Sequence, residues 1–217
     1  MIPVRTVMPA RTAPAAALML IGLHAAAWLW MRWAVGAPVT AAPVAVDADV
    51  PSLFAAMFVH GDWPRLAADL LCLWLFGENV EDRTGHGRFI GLYLLCGLAA
   101  VSGPVAASSE SMIRAIGATG AVAGVIGAHL ALFPRSRIVL LIPVPSAWTA
   151  EIPALVMAAF WATLHFAMGV LPALAAGDAS VWSTGAPGII AAMALGAIII
   201  RVLTQRERMR PEWWHDG

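Results

Sequence analysis

Long apolar segments alternate with short polar ones along most of this chain. Apolar runs cover residues 13–30, 89–107, 115–133, 152–171 and 181–200, and a weaker run from 53 to 76 contains several charged residues. A helix needs about 20 apolar residues to cross the hydrocarbon core of a bilayer. The pattern therefore predicts six transmembrane helices in an all-α, polytopic membrane protein, with a charged turn at 77–85 after the second helix.

Composition supports the membrane interpretation. The chain has 217 residues, of which 60% are hydrophobic and 12% are charged, about half the charged content of a typical soluble domain. The formal net charge is zero, so no basic surplus indicates a nucleic-acid partner. Cys72 and Cys96 lie in apolar segments, and we interpret them as packing residues rather than as a disulfide or a metal pair.

The placement of arginines predicts the orientation, because cytoplasmic loops of membrane proteins are enriched in Lys and Arg. With the N-terminus inside, most arginines are cytoplasmic: Arg5, Arg11, Arg83, Arg88, Arg135, Arg137, Arg201, Arg206, Arg208 and Arg210. We therefore expect a disordered cytoplasmic N-terminal tail at residues 1–12, a membrane domain at 13–203 and a cytoplasmic C-terminal tail at 204–217. The expected location is a bacterial plasma membrane.

The first apolar run has two interpretations. Its basic start, its apolar middle and the small residues Ala25–Ala27 are also typical of a signal peptide. The run is long, however, and it ends in Trp28, Trp30 and Trp33, as expected for the aromatic belt at a membrane interface. We favour a first helix that is retained in the mature protein.

A stripe of glycines marks the fourth apolar run. Gly117, Gly120, Gly124 and Gly127 recur at steps of three and four residues, so they share one face of a helix. Small residues at this spacing let neighbouring membrane helices approach closely, and the stripe therefore predicts a helix-packing surface. One hydroxyl, that of Thr119, stands between two of these glycines.

The stretch Gly117–Ala128, with its hydroxyl between two glycines, resembles the fourth membrane helix of the rhomboid intramembrane serine proteases. Further stretches are similar to the same family: Met57–Gly61, Leu73–Gly77, Val80–Glu81, Phe89–Tyr93, Phe133–Pro134 and Ile152–Ala154, with Trp161. The resemblance extends over residues 53–201 and implies a six-helix rhomboid-like bundle.

The resemblance also implies four catalytic positions: a Ser nucleophile, a His base on the sixth helix, and a His and an Asn on the second helix that stabilise an oxyanion. In this sequence Thr119 stands at the nucleophile position and Gly185 at the base position, with no histidine between 166 and 209. Arg65 and Asp69 stand at the oxyanion positions. Because these two charges are four residues apart on one helix, we expect them to form an ion pair.

The other histidines are poorly placed to replace the missing base. His129 follows Thr119 by ten residues, about 15 Å along a helix. His165 lies in the fifth apolar run, where we interpret it as a buried, hydrogen-bonded structural residue. His60 is expected to order the loop before the second helix.

The leading hypothesis is a proteolytically inactive family member, a pseudoprotease that binds transmembrane segments of client proteins among the membrane lipids. One alternative is an active serine-type endopeptidase that uses Thr119 with an unrecognised base. Another is a small transporter or channel with Arg65 and Asp69 as an intramembrane ionic site, although no inverted repeat is visible in the sequence. We expect no cofactor, no metal and no nucleic-acid partner, and the sequence leaves the oligomeric state open.

Overall fold

The computed structural model describes residues 2–8, 10–34, 50–58, 60, 62–106, 110–142, 148–175, 177 and 186–205. Its helices are α1 (Ala15–Ala34), α2 (Val50–Ala56), α3 (Trp63–Thr84), α4 (His86–Ala106), α5 (Glu110–Leu132), α6 (Ala154–His165), α7 (Leu171–Ala175) and α8 (Ala186–Leu203). Its strands are β1 (Ile2–Thr6), β2 (Arg137–Ile142) and β3 (Trp148–Pro153). A π-helical segment, Phe166–Val170, joins α6 to α7. The fold is mostly helical, as the sequence predicts.

One described helix, α1, is long and apolar enough to cross a bilayer by itself. Shorter apolar helical stretches of 10–17 residues occur elsewhere in the described part of the chain: His86–Val101, Thr119–Leu132, Ala154–Gly169 and Pro187–Leu203. Each of these stretches overlaps one of the apolar runs in the sequence. The first residues of the last run, 181–185, lie outside the described residues.

Helices α5 and α8 touch backbone against backbone. A Cβ atom added at Gly127 would lie 2.0 Å from the carbonyl oxygen of Met193. One added at Gly196 would lie 2.0 Å from the carbonyl oxygen of Gly124. No side chain fits between atoms this close, so glycine at these positions sets the distance between the two helices.

The other side of α5 packs on α4. A Cβ atom added at Gly124 would lie 2.3 Å from the Cβ of Cys96, which is a free, buried cysteine. Gly120 is buried as well, and Gly117 lies on the same helix. The glycine-rich helix α5 is therefore enclosed between α4 and α8.

A small antiparallel sheet, with strand order β1–β2–β3, accompanies the helices. Along β2, Ile138 and Leu140 are buried while Arg137 and Val139 are not, which is the period-two alternation of a strand with one covered face. The all-α class is therefore incomplete as a description of the chain. Strand β2 was not predicted because its six residues, Arg137–Ile142, follow the glycine-rich helix closely in the sequence.

The N-terminal segment is ordered by pairing with β2. Arg5 lies opposite Val139 and Thr6 opposite Ile138, and the backbone N–H of Val7 donates to the carbonyl of Arg137 at 2.9 Å. The expectation of a disordered N-terminal tail is therefore wrong for residues 2–8 and 10–12, the part of that tail that the structure describes. The strand forms because β2 offers it a long-range partner, which local composition does not reveal.

The sequence predicts a turn at residues 77–85, but the chain there stays helical up to Thr84. The change of direction is confined to Gly85, whose φ of 81° is a left-handed conformation that glycine adopts without strain. Glu81 and Asp82 on this last stretch of α3 are 0% and 1% exposed. Carboxylates that are buried so completely require hydrogen-bond partners.

The first turn of α1 and the segment before it provide those partners. The two carboxylate oxygens of Glu81 accept hydrogen bonds from the backbone N–H groups of Ala16 and Ala17, each at 2.8 Å. They thereby cap the N-terminus of α1 from a different helix. Oδ1 of Asp82 accepts from the backbone N–H and the hydroxyl of Thr12, at 2.9 and 2.6 Å. These contacts hold α1 against α3.

Candidate functional site

A buried carboxylate on α3, that of Asp69, is the centre of the candidate site and is 2% exposed. Trp161 Nε1 donates to its Oδ1 at 2.8 Å, and Thr119 Oγ1 donates to its Oδ2 at 3.2 Å. His60 Nε2 lies 3.3 Å from Oδ2. His165 Nε2 lies 3.1 Å from Oδ1, close enough for an ion pair but poorly aligned for a hydrogen bond. Four side chains therefore surround Asp69, and three of them, Thr119, Trp161 and His165, come from distant parts of the chain.

The sequence of α3 explains why Asp69 faces inward. Leu66, Leu73 and Phe76 are buried on the same helix, and they lie three, four and seven residues from Asp69. Residues at this spacing share one face of a helix. Packing of the apolar neighbours therefore carries the carboxylate into the core, where a partner for it is obligatory.

Arg65 does not pair with Asp69, so the predicted ion pair is wrong. Arg65 Nε instead lies 2.6 Å from Oδ2 of Asp62. The Asp62 side chain also accepts the backbone N–H of Arg65 at 2.9 Å and caps the start of α3. Arg65 pairs with Asp62, at the N-terminal end of α3, because Asp69 faces the core and the oxygens of Asp69 contact other donors.

Helices α5 and α6 supply the remaining groups. Thr119, at the nucleophile position on α5, is 3% exposed. On α6, Trp161 and His165 are one turn apart, and His165 Nδ1 lies 3.0 Å from the carbonyl oxygen of Trp161. The interpretation of His165 as buried and hydrogen-bonded is confirmed. Its contact with Asp69 was not foreseen.

Polar side chains continue from Asp69 towards α1 and α4. The ring of His60 meets the ring of His24 edge-on, with 5.2 Å between the centroids. His24 Nε2 lies 2.5 Å from the hydroxyl of Tyr93. Within the described part of the chain, the buried Nδ1 atoms of His24 and His60 have no hydrogen-bond partner. A polar layer thus extends across the bundle from α4 to α6.

The remaining predicted positions lie apart from this layer or cannot be placed. His129 Nε2 is 2.9 Å from the hydroxyl of Ser136, and its ring packs on Phe76 and Phe133 at 4.9 and 5.2 Å between centroids. Gly185, the base position, lies outside the described residues. Among the described residues, no group of three or more His, Cys, Asp or Glu side chains has the arrangement of a metal site.

Sequence reasoning missed the roles of His60, Trp161 and His165 around Asp69. A signal was present, because Trp161 and His165 are four residues apart and share one face of a helix in an otherwise apolar run. Polar groups inside membrane segments generally face the bundle interior and pair with one another. Applied to Asp69, that rule favours a partner on another helix over Arg65 at the end of its own.

The described elements form a mostly helical fold with a buried polar site at the junction of α3, α5 and α6. Comparison with known families gives its class: residues 47–202 match the Rhomboid domain. The match covers more than half of the chain, and the protein therefore belongs to the rhomboid family.

Two curated relatives agree with this assignment. The chain is 32% identical over 105 residues to Rhomboid protein 1, mitochondrial, of Saccharomyces cerevisiae. The aligned region covers 46% of this chain and 30% of the relative. The chain is 36% identical over 78 residues to Rhomboid protease GluP of Bacillus subtilis. The aligned region covers 36% of this chain and 15% of that relative. The chain thus spans less than a third of either relative. No solved structure matches it.

Proposed function

We propose that this rhomboid-family membrane protein is a pseudoprotease, which binds transmembrane segments of client proteins in the bilayer and does not cleave them. The hydrogen bond from Thr119 to Asp69, at 3.2 Å, carries the proposal. The hydroxyl at the nucleophile position donates to a carboxylate, whereas the family resemblance implies a histidine base. The base position itself is a glycine, Gly185.

The chemistry of acyl transfer supports inactivity. A hydroxyl becomes a useful nucleophile only when a base removes its proton, and the negative oxygen that then develops needs hydrogen-bond donors. Asp69, which stands at one of the oxyanion positions, presents negative charge instead of a donor. The methyl group of Thr119 adds bulk beside the hydroxyl. The site therefore lacks the histidine base, and it places a negative charge where the reaction needs a hydrogen-bond donor.

An active endopeptidase would need Asp69 to act as the base, because Asp69 is within hydrogen-bond reach of Thr119. An ionised carboxylate has about four lone-pair sites. Trp161, Thr119 and His60 contact Asp69 by hydrogen bonds, and His165 lies at ion-pair distance. A carboxylate so fully engaged is a poor proton acceptor, and this argues against the alternative.

Client binding requires an apolar outer surface rather than a reactive centre. Side chains such as Phe160 on α6, and Ile190 and Ile198 on α8, are 63%, 66% and 66% exposed. In a bilayer such faces contact lipid tails or another transmembrane helix. We propose that a client helix packs on an outer face of this kind.

We predict that purified full-length protein in liposomes leaves a labelled transmembrane substrate of the rhomboid proteases intact. Thr119→Ser should also be inactive, because the substitution restores the nucleophile but no base. The same substrate should crosslink to the wild type and to Thr119→Ala equally, measured with a photoreactive group in its transmembrane segment. Cleavage that disappears in Thr119→Ala would show a working protease, and failure to crosslink would refute client binding.

We further propose six membrane spans, formed by α1, α3, α4, α5, α6 with its extension through α7, and α8, with both termini in the cytoplasm of a bacterium. Arginine placement supports this orientation. The buried side chains of α1, among them Leu20 and His24, support its retention in the mature protein. Reporter fusions at residue 205 should therefore be active only as cytoplasmic reporters. Activity of a periplasmic reporter there would reverse the topology.

A further inference from the structure

We infer that the side chains around Asp69 form a carboxylate-binding site, which the chain fills with its own carboxylate. The site consists of the Thr119 hydroxyl, the Trp161 indole N–H and the Nε2 atoms of His60 and His165, all 2.8–3.3 Å from Asp69 oxygens. Every one of these side chains is at least nine-tenths buried. The ligand class of this site does not depend on whether the protein cleaves substrates.

The hydrogen-bonding chemistry of the surrounding groups identifies the ligand class. Trp161 Nε1 can only donate, and the hydroxyl of Thr119 donates to Oδ2. His60 Nε2 faces the same oxygen, so it carries a hydrogen. Three donors therefore converge on the two oxygens of the Asp69 carboxylate. A neutral carbonyl oxygen would leave part of this donor set without a partner.

His165 supplies the charge that balances the carboxylate. Its Nδ1 lies 3.0 Å from the carbonyl oxygen of Trp161, which is an acceptor, so Nδ1 carries a hydrogen. Its Nε2 lies 3.1 Å from Asp69 Oδ1, at ion-pair distance although poorly aligned for a hydrogen bond, and we infer that it carries a hydrogen too, because a nitrogen lone pair this close to a carboxylate oxygen would be repelled. Both nitrogens are protonated only in the imidazolium form. The countercharge of Asp69 therefore comes from α6, and Arg65 is engaged with Asp62 instead.

The resident carboxylate closes the site to other acceptors. A peptide carbonyl placed at Thr119 would have to displace Asp69 from donors that are buried with it, and would leave a buried charge without a partner. The same contacts join α3, α5 and α6. Asp69 thus both occupies the site and links the three helices around it.

The test is to remove the carboxylate and return it as a free molecule. In full-length Asp69→Ala, purified in detergent, the melting temperature should fall well below that of the wild type. Formate or acetate should raise it again with a logarithmic dependence on concentration, as expected for a ligand that binds only the folded state. Chloride at equal ionic strength should not. The matched control is Asp62→Ala. In the wild type the Asp62 carboxylate contacts Arg65 at the N-terminal end of α3, and formate should leave the melting temperature of this variant unchanged.

A folded Asp69→Ala that formate does not stabilise more than chloride does would overturn the inference. If that variant does not fold, the wild type and the isosteric Asp69→Asn provide the second measurement. Nitrogen NMR of histidine-labelled protein should show His165 as an imidazolium in the wild type and as a neutral ring in Asp69→Asn. A neutral His165 ring in the wild type at neutral pH would mean that the site lacks its positive charge, and this result would contradict the inference.

Discussion

Replacing Glu81 with alanine is expected to destabilise the protein by about 2–5 kcal/mol, because the change leaves buried N–H groups without an acceptor and opens a cavity. Glu81 is 0% exposed, and its two oxygens accept from the backbone of Ala16 and Ala17 at 2.8 Å. It also contacts Nδ1 of His86. The negative charge lies at the N-terminus of α1, where the helix dipole favours it.

Denaturant titration in detergent micelles, followed by tryptophan fluorescence, measures the loss. Glu151→Ala is the matched control, since Glu151 is a half-exposed carboxylate whose ion pair with Arg137 is 3.5 Å long; such pairs contribute about 0–1 kcal/mol. Glu81→Gln should fall between the two, because its carbonyl oxygen can still accept one of the N–H groups. Equal stability of Glu81→Ala and Glu151→Ala would contradict this role of the cap.

The helical part of the fold was predictable from the sequence because it depends on local features. The long apolar runs give the positions of α1, α4, α5 and α6 with its π-helical extension, each end within about five residues. The glycine spacing on α5 indicated close packing, and Gly124 and Gly127 do pack closely against Cys96 and Met193 of the neighbouring helices. Periodicity along one segment determines which face is smooth, so it needs no knowledge of the rest of the chain.

Most of the features that were missed depend on partners far along the chain. Strand β1 is held by β2, and Thr12 by Asp82, some seventy residues away. Such pairings cannot be deduced from the composition of residues 1–12. The stretch 77–85 looked like an exposed turn because charge normally indicates solvent. Its carboxylates are buried since the N-terminal segment supplies their donors.

The candidate site shows the same division between local and long-range information. Thr119 and Asp69 were recognised as the relevant positions, and the structure brings them into contact at 3.2 Å. The partner assigned to Asp69 was wrong, because helical spacing suggested Arg65 and could not show that Asp62 takes it. Trp161 reaches Asp69 across 92 positions of sequence. Only the packing of α6 on α3 creates that contact.

The contact between α5 and α8 gives the second large expected effect. Gly196→Ala should destabilise the protein by about 3 kcal/mol, the upper part of the usual range for overpacking. The added Cβ would lie 2.0 Å from the carbonyl oxygen of Gly124 and 2.7 Å from its carbon. Both are backbone atoms, so no side-chain rotation relieves the clash and the two helices must separate. Gly127→Ala, which meets the backbone of Met193 at 2.0 Å, should behave alike.

The matched control is Gly91→Ala on α4, where an added Cβ meets nothing within 4 Å. This substitution should be neutral or should stabilise by about 0.5–1 kcal/mol, since alanine loses less backbone entropy in a helix than glycine. Thermal melts of the three variants in the same detergent decide the question. If the melting temperature of Gly196→Ala equals that of Gly91→Ala and is not well below it, then α5 and α8 are not in backbone contact. The glycines would then serve some purpose other than close packing.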